Sequence, residues 1–89
     1  MKAIVSVLGK DKKGIIAKVS TALYEEDVNI MDISQTIMQS SYFTMIMAVE
    51  LPENVLIDRI TEKLNALSEE IGVEIRIQHE DIFNSMHRV

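Results

Sequence analysis

Cysteine does not occur in this 89-residue chain, proline occurs once, and aromatic residues make up 4%. Without a thiol there is no disulfide framework, no thiolate zinc site and no cysteine nucleophile. Basic residues are short as well: 9 against 14 acidic ones gives a net charge of −5, which repels nucleic acid and anionic membrane overall. No apolar run approaches the roughly 18 residues that a membrane span needs. Met1 leads straight into an apolar strand with no signal-peptide core, so the expected location is cytoplasmic. The length suits one compact domain with a single core.

What is present is organised around Gly9-Lys10-Asp11-Lys12-Lys13-Gly14-Ile15, a polar stretch between the apolar run Ala3 to Leu8 and a helical pattern that begins at Ile15. A strand that feeds a helix through a glycine-bearing loop leaves the first helical N–H groups unpaired, with the positive end of the helix dipole behind them. Such an end attracts carboxylates and other anions.

Lys2 to Leu8 is β-branched and apolar on both parities apart from Ser6, the pattern of a central strand buried on both sides over much of its length. Ile15, Ile16, Val19, Ala22 and Leu23 then recur at helical spacing, with an end near Glu26 or Asp27. Val28 to Gln39 alternates with Met31, Ile33 and Ile37 on one parity, although Ile30 and Met38 blur the other; it reads as an edge strand. Ser40 and Ser41 make a turn into a second alternating run, Tyr42 to Glu50, so the two strands form a hairpin. Pro52 and Glu53 open a second helix marked by Ile57, Ile60, Leu64, Leu67 and Ile71, and Gly72 suits the left-handed cap that stops it. Val73 to His79 alternates as a half-exposed edge strand, and Ile82, Phe83, Met86 and Val89 give the tail the spacing of a short helix.

Strand, helix, strand, strand, helix, strand is the ferredoxin-like split βαβ arrangement, an α+β sandwich of a four-stranded antiparallel sheet with two helices on one face. Right-handed crossovers put strands one and three in the middle. The opposite face would carry Ile4, Leu8, Ile46 and Ala48 and would need cover from the tail or from another subunit.

The fold hosts unrelated functions, so particular residues must decide between them. Base-stacking aromatics are absent from strand one and limited to Tyr42 and Phe43 on strand three. The first loop has no arginine to hold phosphate as an acylphosphatase would, and Ile15-Ile16 stands where a P-loop needs Lys and Ser/Thr. His79 and His87 lie near the C-terminus with no nucleophile placed beside them, so no catalytic residue and no metal site are expected.

Gly9-Lys10-Asp11-Lys12-Lys13-Gly14-Ile15-Ile16, followed by Val28-Asn29-Ile30, resembles the ACT domain, an amino-acid-sensing regulatory module. The resemblance covers about Lys2 to His79, and the Ile-Phe-x-x-Met-His-Arg-Val ending is similar to that of small stand-alone ACT proteins of uncharacterised role. It implies an ACT-like domain over residues 1–80, with a tail over 81–89, and no cofactor. It also implies a ligand site of Asp11, Lys12, Gly14, Ile15, Asn29 and Ile30: Asp11 meets an ammonium group, Gly14 lets the backbone approach, the N–H groups near Gly14 and Ile15 receive a carboxylate, and Asn29 binds from strand two. Since such sites commonly lie between domains paired through strand two, a homodimer is implied, with Asn29 acting across the interface. Lys13 stands where the family usually has proline, and with Lys12 it makes the loop more cationic. The expected function is a non-catalytic sensor of a small amino-acid-like metabolite, acting on a regulated protein partner. The alternative is an interaction module without a metabolite, in which Asp11 and Gly14 form only a turn and cap.

Overall fold

The computed structural model of the chain describes residues 1–10, 12–37 and 41–86. They form β1 (Lys2–Lys10), α1 (Ile15–Glu25), β2 (Asn29–Ile37), β3 (Tyr42–Glu50), α2 (Ile57–Ile71), β4 (Glu74–His79) and α3 (Glu80–Met86). The sheet order is β2-β3-β1-β4 and every neighbouring pair is antiparallel, which is the expected ferredoxin-like architecture with β1 and β3 central. The Ser40–Ser41 turn lies partly outside the described residues, as does the tail beyond Met86.

One face of the sheet and the helices facing it form the core. Ala3, Val5 and Val7 of β1, Phe43, Met45, Met47 and Val49 of β3, and Ile75 of β4 are buried with Ile15, Val19, Ala22 and Leu23 of α1 and Ile60 and Leu64 of α2. The period of two on the strands and of three to four on the helices thus meet in one layer, each large side chain contributing about 1.5–3 kcal/mol of transfer free energy. The opposite face is open. There Leu8 and Ile46 are 47% and 40% exposed, so β1 is not buried on both sides as its composition suggested. Its second apolar parity serves a face that α3 only partly roofs, with Phe83 beside Ser6, Leu8, Arg76 and Gln78 in a groove of ≈ 460 Å³.

The ends of the helices show which local signals won. α1 stops in a Schellman arrangement: Val28 N–H donates to Leu23 O (3.0 Å), Asp27 N–H donates to Tyr24 O (3.0 Å), and Asp27 takes the left-handed position at φ 59 that glycine usually fills. The buried pair Leu23 and Val28 closes the motif. α2 ends at Gly72, φ 69, whose N–H donates to Ser68 O at 2.9 Å. Its start differs from expectation. Pro52 does not open the helix but begins a turn closed by Val55 N–H to Pro52 O (3.2 Å), which brings Val55 onto the core before Ile57 starts α2. Proline followed by an acidic residue suits a turn as well as a first helical turn.

β2 contains the irregularity that blurred its alternation. Ile30 pairs with Val49 and Asp32 with Ala48, so Met31 is the extra residue of a β-bulge. Beyond it Ile33, Gln35 and Ile37 lie opposite Met47, Met45 and Phe43, on the helix side of the sheet. The helix layer does not cover them, and Ile33 and Ile37 stay 44% and 55% exposed.

α1 and α2 are also joined at their polar edge. Glu26, whose side chain is only 10% exposed, accepts from Arg59 Nε (2.5 Å) and Lys63 Nζ (3.2 Å), and Lys63 also meets Glu25 at 2.9 Å. The hydrogen bonds from Arg59 and then Lys63 hold the Glu26 carboxyl below its ordinary value of 4.5. A carboxylate with a lowered folded pKa stabilises the fold above its unfolded pKa and loses that contribution as pH falls through the lower, folded value. Urea unfolding followed from pH 7 to pH 3 is therefore expected to show a loss of stability below about pH 4.5 that is smaller in Glu26→Gln, with the two curves parallel above pH 6.

Candidate functional site

β1 runs two residues further than its composition suggests. Gly9 and Lys10 pair with Phe43 and Tyr42, so the strand reaches Lys10, and α1 begins at Ile15. Gly9 fits there because a Cβ would come within 2.7 Å of Val73 Cγ1, so that any side chain would force Val73 to shift. Gly14 closes the loop at φ 86 and forms the N-cap of α1 without a side chain to offer, and the first turn holds no acidic residue. The N–H groups of that turn consequently face outward with no side-chain acceptor from the cap.

Two concavities flank this point. On one side Lys12, Gly14, Ile15, Ile16 and Ala17 meet Gln35 and Ile37 of β2 and Phe43 of β3 around a cavity of ≈ 460 Å³. On the other, Lys12, Lys13, Gly14 and Lys18 meet Glu70 and Ile71 at the end of α2 around a space of ≈ 250 Å³. The first combines a helix N-terminus with apolar walls and one amide, Gln35, the composition suited to a small molecule with an acidic group and a short side chain. A third hollow of ≈ 400 Å³ between α1 and α2 is lined by Ala17, Thr21, Ala22 and Ala66, and its charged rim is already ion-paired as Lys18–Glu70 and Lys63–Glu25. It offers a ligand little polar purchase.

The expected site residues divide into two groups. Lys12, Gly14 and Ile15 sit together at the loop, while Asp11 lies outside the described residues. Asn29 and Ile30 are elsewhere. Asn29 pairs with Glu50, which pairs with Lys2, placing it at the end of the sheet away from Gly14. Asn29 and Ile37 are the two ends of β2, eight steps apart, roughly 26 Å at about 3.3 Å per residue. Within one chain the loop therefore meets the C-terminal end of β2, and Ile16, Gln35, Ile37 and Phe43 are the neighbours that sequence reasoning missed. Topology could have found them, because β2 runs parallel to β1 in a split βαβ unit and so ends beside the loop where β1 ends. The bulge at Met31 hid which of its residues face that way.

Lys12 also has a partner far along the chain: its Nζ donates to Ile71 O at 2.9 Å. Among the described residues no three histidine, aspartate or glutamate side chains converge as metal ligands, and no helix is long and apolar enough to cross a membrane.

The family model described as ACT domain matches residues 2–78. A UPF0237 protein from Clostridium acetobutylicum is 56% identical over 90 residues, covering 100% of both chains. Among solved structures, an ACT domain protein from Streptococcus pneumoniae superposes with a TM-score of 0.83 at 42% identity, covering 93% of each chain. The ligand-free regulatory subunit of aspartate kinase from Thermus thermophilus superposes with a TM-score of 0.68 at 28% identity, over 86% of this chain and 50% of that one.

The two glycines that bound the loop should respond differently to alanine. At Gly14 a Cβ would meet nothing within 4 Å, so Gly14→Ala is expected to cost only the left-handed backbone, about 1–2 kcal/mol by urea unfolding. Gly9→Ala instead drives a methyl into Val73 and should cost about 1–3 kcal/mol, part of it recovered in the double variant with Val73→Ala.

Proposed function

This chain belongs to the ACT domain family, and from that premise we propose that it is a non-catalytic regulatory module that binds a small amino-acid-like metabolite at the β1–α1 loop of a homodimer. The observation that carries the reading is the cavity in which the N-terminus of α1, without a side-chain cap, opens beside the C-terminal end of β2. A zwitterion needs an acceptor for its cation and donors for its anion. Asp11 would supply the first, the N–H groups around Gly14 and Ile15 the second, and Ile16 and Ile37 the walls for a side chain.

The far placement of Asn29 and Ile30 supports a dimer. β2 is an edge strand of nine residues whose only charge is Asp32, and it exposes Met31, Ile33 and Ile37, a surface that a solitary edge seldom leaves uncovered. If two copies pair antiparallel along β2 about a two-fold axis near Ile33, residue 29 of one strand falls opposite residue 37 of the other. Asn29 and Ile30 of the partner subunit would then come to the end of the sheet where Gly14 lies. Binding would order the loop and strengthen the pairing, and that change would be read by a regulated partner protein. A second reading, an interaction module without a metabolite, rests on the same exposed β2 edge together with Ile82 of α3, which is 54% exposed.

A thermal-unfolding screen against the twenty amino acids and related metabolites separates the two. Ligand at 100 times its dissociation constant adds about 2.7 kcal/mol, and a domain of this size moves by about 4–8 °C per kcal/mol. The expected result is a shift with one ligand class that disappears in Asn29→Ala and is accompanied by a dimer in sedimentation. A flat screen at millimolar ligand would refute the sensor and favour the interaction module.

A further inference from the structure

The family resemblance implies Lys12 at the ligand site, and in the fold Lys12 lines the cavity while its ammonium group hydrogen-bonds the far end of the other helix. Nζ donates at 2.9 Å to the carbonyl of Ile71, the last residue of α2. That end carries the negative pole of the helix dipole, and its final turn adds Glu69 and Glu70 with no basic residue of its own. The compensating cations come from the loop and from α1: Lys12 on the Ile71 carbonyl, and Lys18 of α1, 3.2 Å from Glu70. The contact is built closely. Gly72 adopts φ 69, and a Cβ there would stand 3.0 Å from Lys12 Nζ, while on the other side of the loop Gly9 lies flush against Val73. Residues on both sides of position 11 are thus gripped by residues 71–73.

We propose that Lys12 is a positioning residue: by hydrogen-bonding the end of α2 it holds the β1–α1 loop in the geometry from which the first turn of α1 meets its ligand. The ligand half of this inference rests on the sensor reading above. Two consequences follow from the geometry. The Lys12 charge is engaged by the α2 terminus, so its removal weakens binding whatever the charge of the metabolite. Because coupling is reciprocal, metabolite binding in turn steadies the α2–β4 junction some distance from the ligand.

Amide hydrogen exchange on the free, full-length protein tests the latch without any ligand. The readouts are Lys18 N–H, bonded to Gly14 O, and Gly72 N–H, bonded to Ser68 O, each compared with Val5 and Met47 in the central strands. Losing one hydrogen bond of ordinary net strength in Lys12→Met should speed Lys18 and Gly72 exchange by about fivefold and leave the central strands unchanged, with Lys12→Arg restoring the wild-type rates. Equal acceleration at all four amides, or none, would overturn the latch. For the amino acid that shifts the wild-type protein in the twenty-member panel, Kd should rise by about fivefold in Lys12→Met, recover in Lys12→Arg, and its presence should slow Gly72 exchange in the wild type. An unchanged Kd in Lys12→Met would overturn the coupling. A panel in which nothing binds the wild type would sink the sensor reading and with it the ligand half, while the exchange result still decides the latch.

Discussion

The structure depends on the burial of one face of β1 and β3 beneath α1 and α2. Val5, Met45, Met47, Val49, Val19 and Leu23 are fully enclosed, and no buried charged or polar side chain interrupts them among the described residues. Because that layer is purely apolar, it fixes where helices lie without dictating what the loops do. The inward side chains of β1 and β3 are enclosed, whereas Ile33 and Ile37 of β2, past its bulge, reach solvent. The free edge and the loop cavity are therefore two results of one packing arrangement.

The loop at the end of β1 works between two surfaces. Toward β2 it presents backbone donors and an apolar wall, and toward α2 it presents lysines that answer the negative end of a helix. Glycines at 9, 14 and 72 make this possible for different reasons: the first yields space to Val73, and the other two accept positive φ. A segment of four residues could hardly define a binding geometry alone, since short polar loops have little to pack against. The contacts of Gly9 and Lys12 with residues 71–73 supply what the loop lacks.

Much of this was legible from periodicity. The stripe Ile57, Ile60, Leu64, Leu67, Ile71 and its glycine stop specify α2 at its C-terminal end, and the alternation of Val73, Ile75 and Ile77 specifies a strand with one wet face, because in both cases each residue's environment is set by local geometry. Three features were hidden, each by an interaction distant in sequence or by an ambiguous local signal. Pro52-Glu53 suits a turn and a helix start equally, and the need to bring Val55 onto the core decides between them. The bulge at Met31 reverses parity within β2, which a strict period of two cannot represent. Lys12 looks like part of a solvated basic loop until Ile71, its partner, is brought beside it by the whole fold. For the site, sequence located the loop but not its cavity partners Gln35 and Ile37, since those depend on where β2 ends relative to β1.

The position of β1 has a consequence for how the chain reaches this structure. The hairpin of β2 and β3 joins neighbours in sequence and can close early, as can each strand–helix pair. β1 cannot complete its ladders so cheaply: it pairs residue 2 with residue 50 on one side and residue 3 with residue 79 on the other. Its two ladders are thus the strand pairings most distant in sequence, and closing them costs more loop entropy than closing the β2–β3 hairpin. Until β4 arrives, β1 and β3 offer an apolar sheet with a second open edge, so a nascent or transiently opened chain is most exposed to misassociation along the strand that is best protected once folding is done.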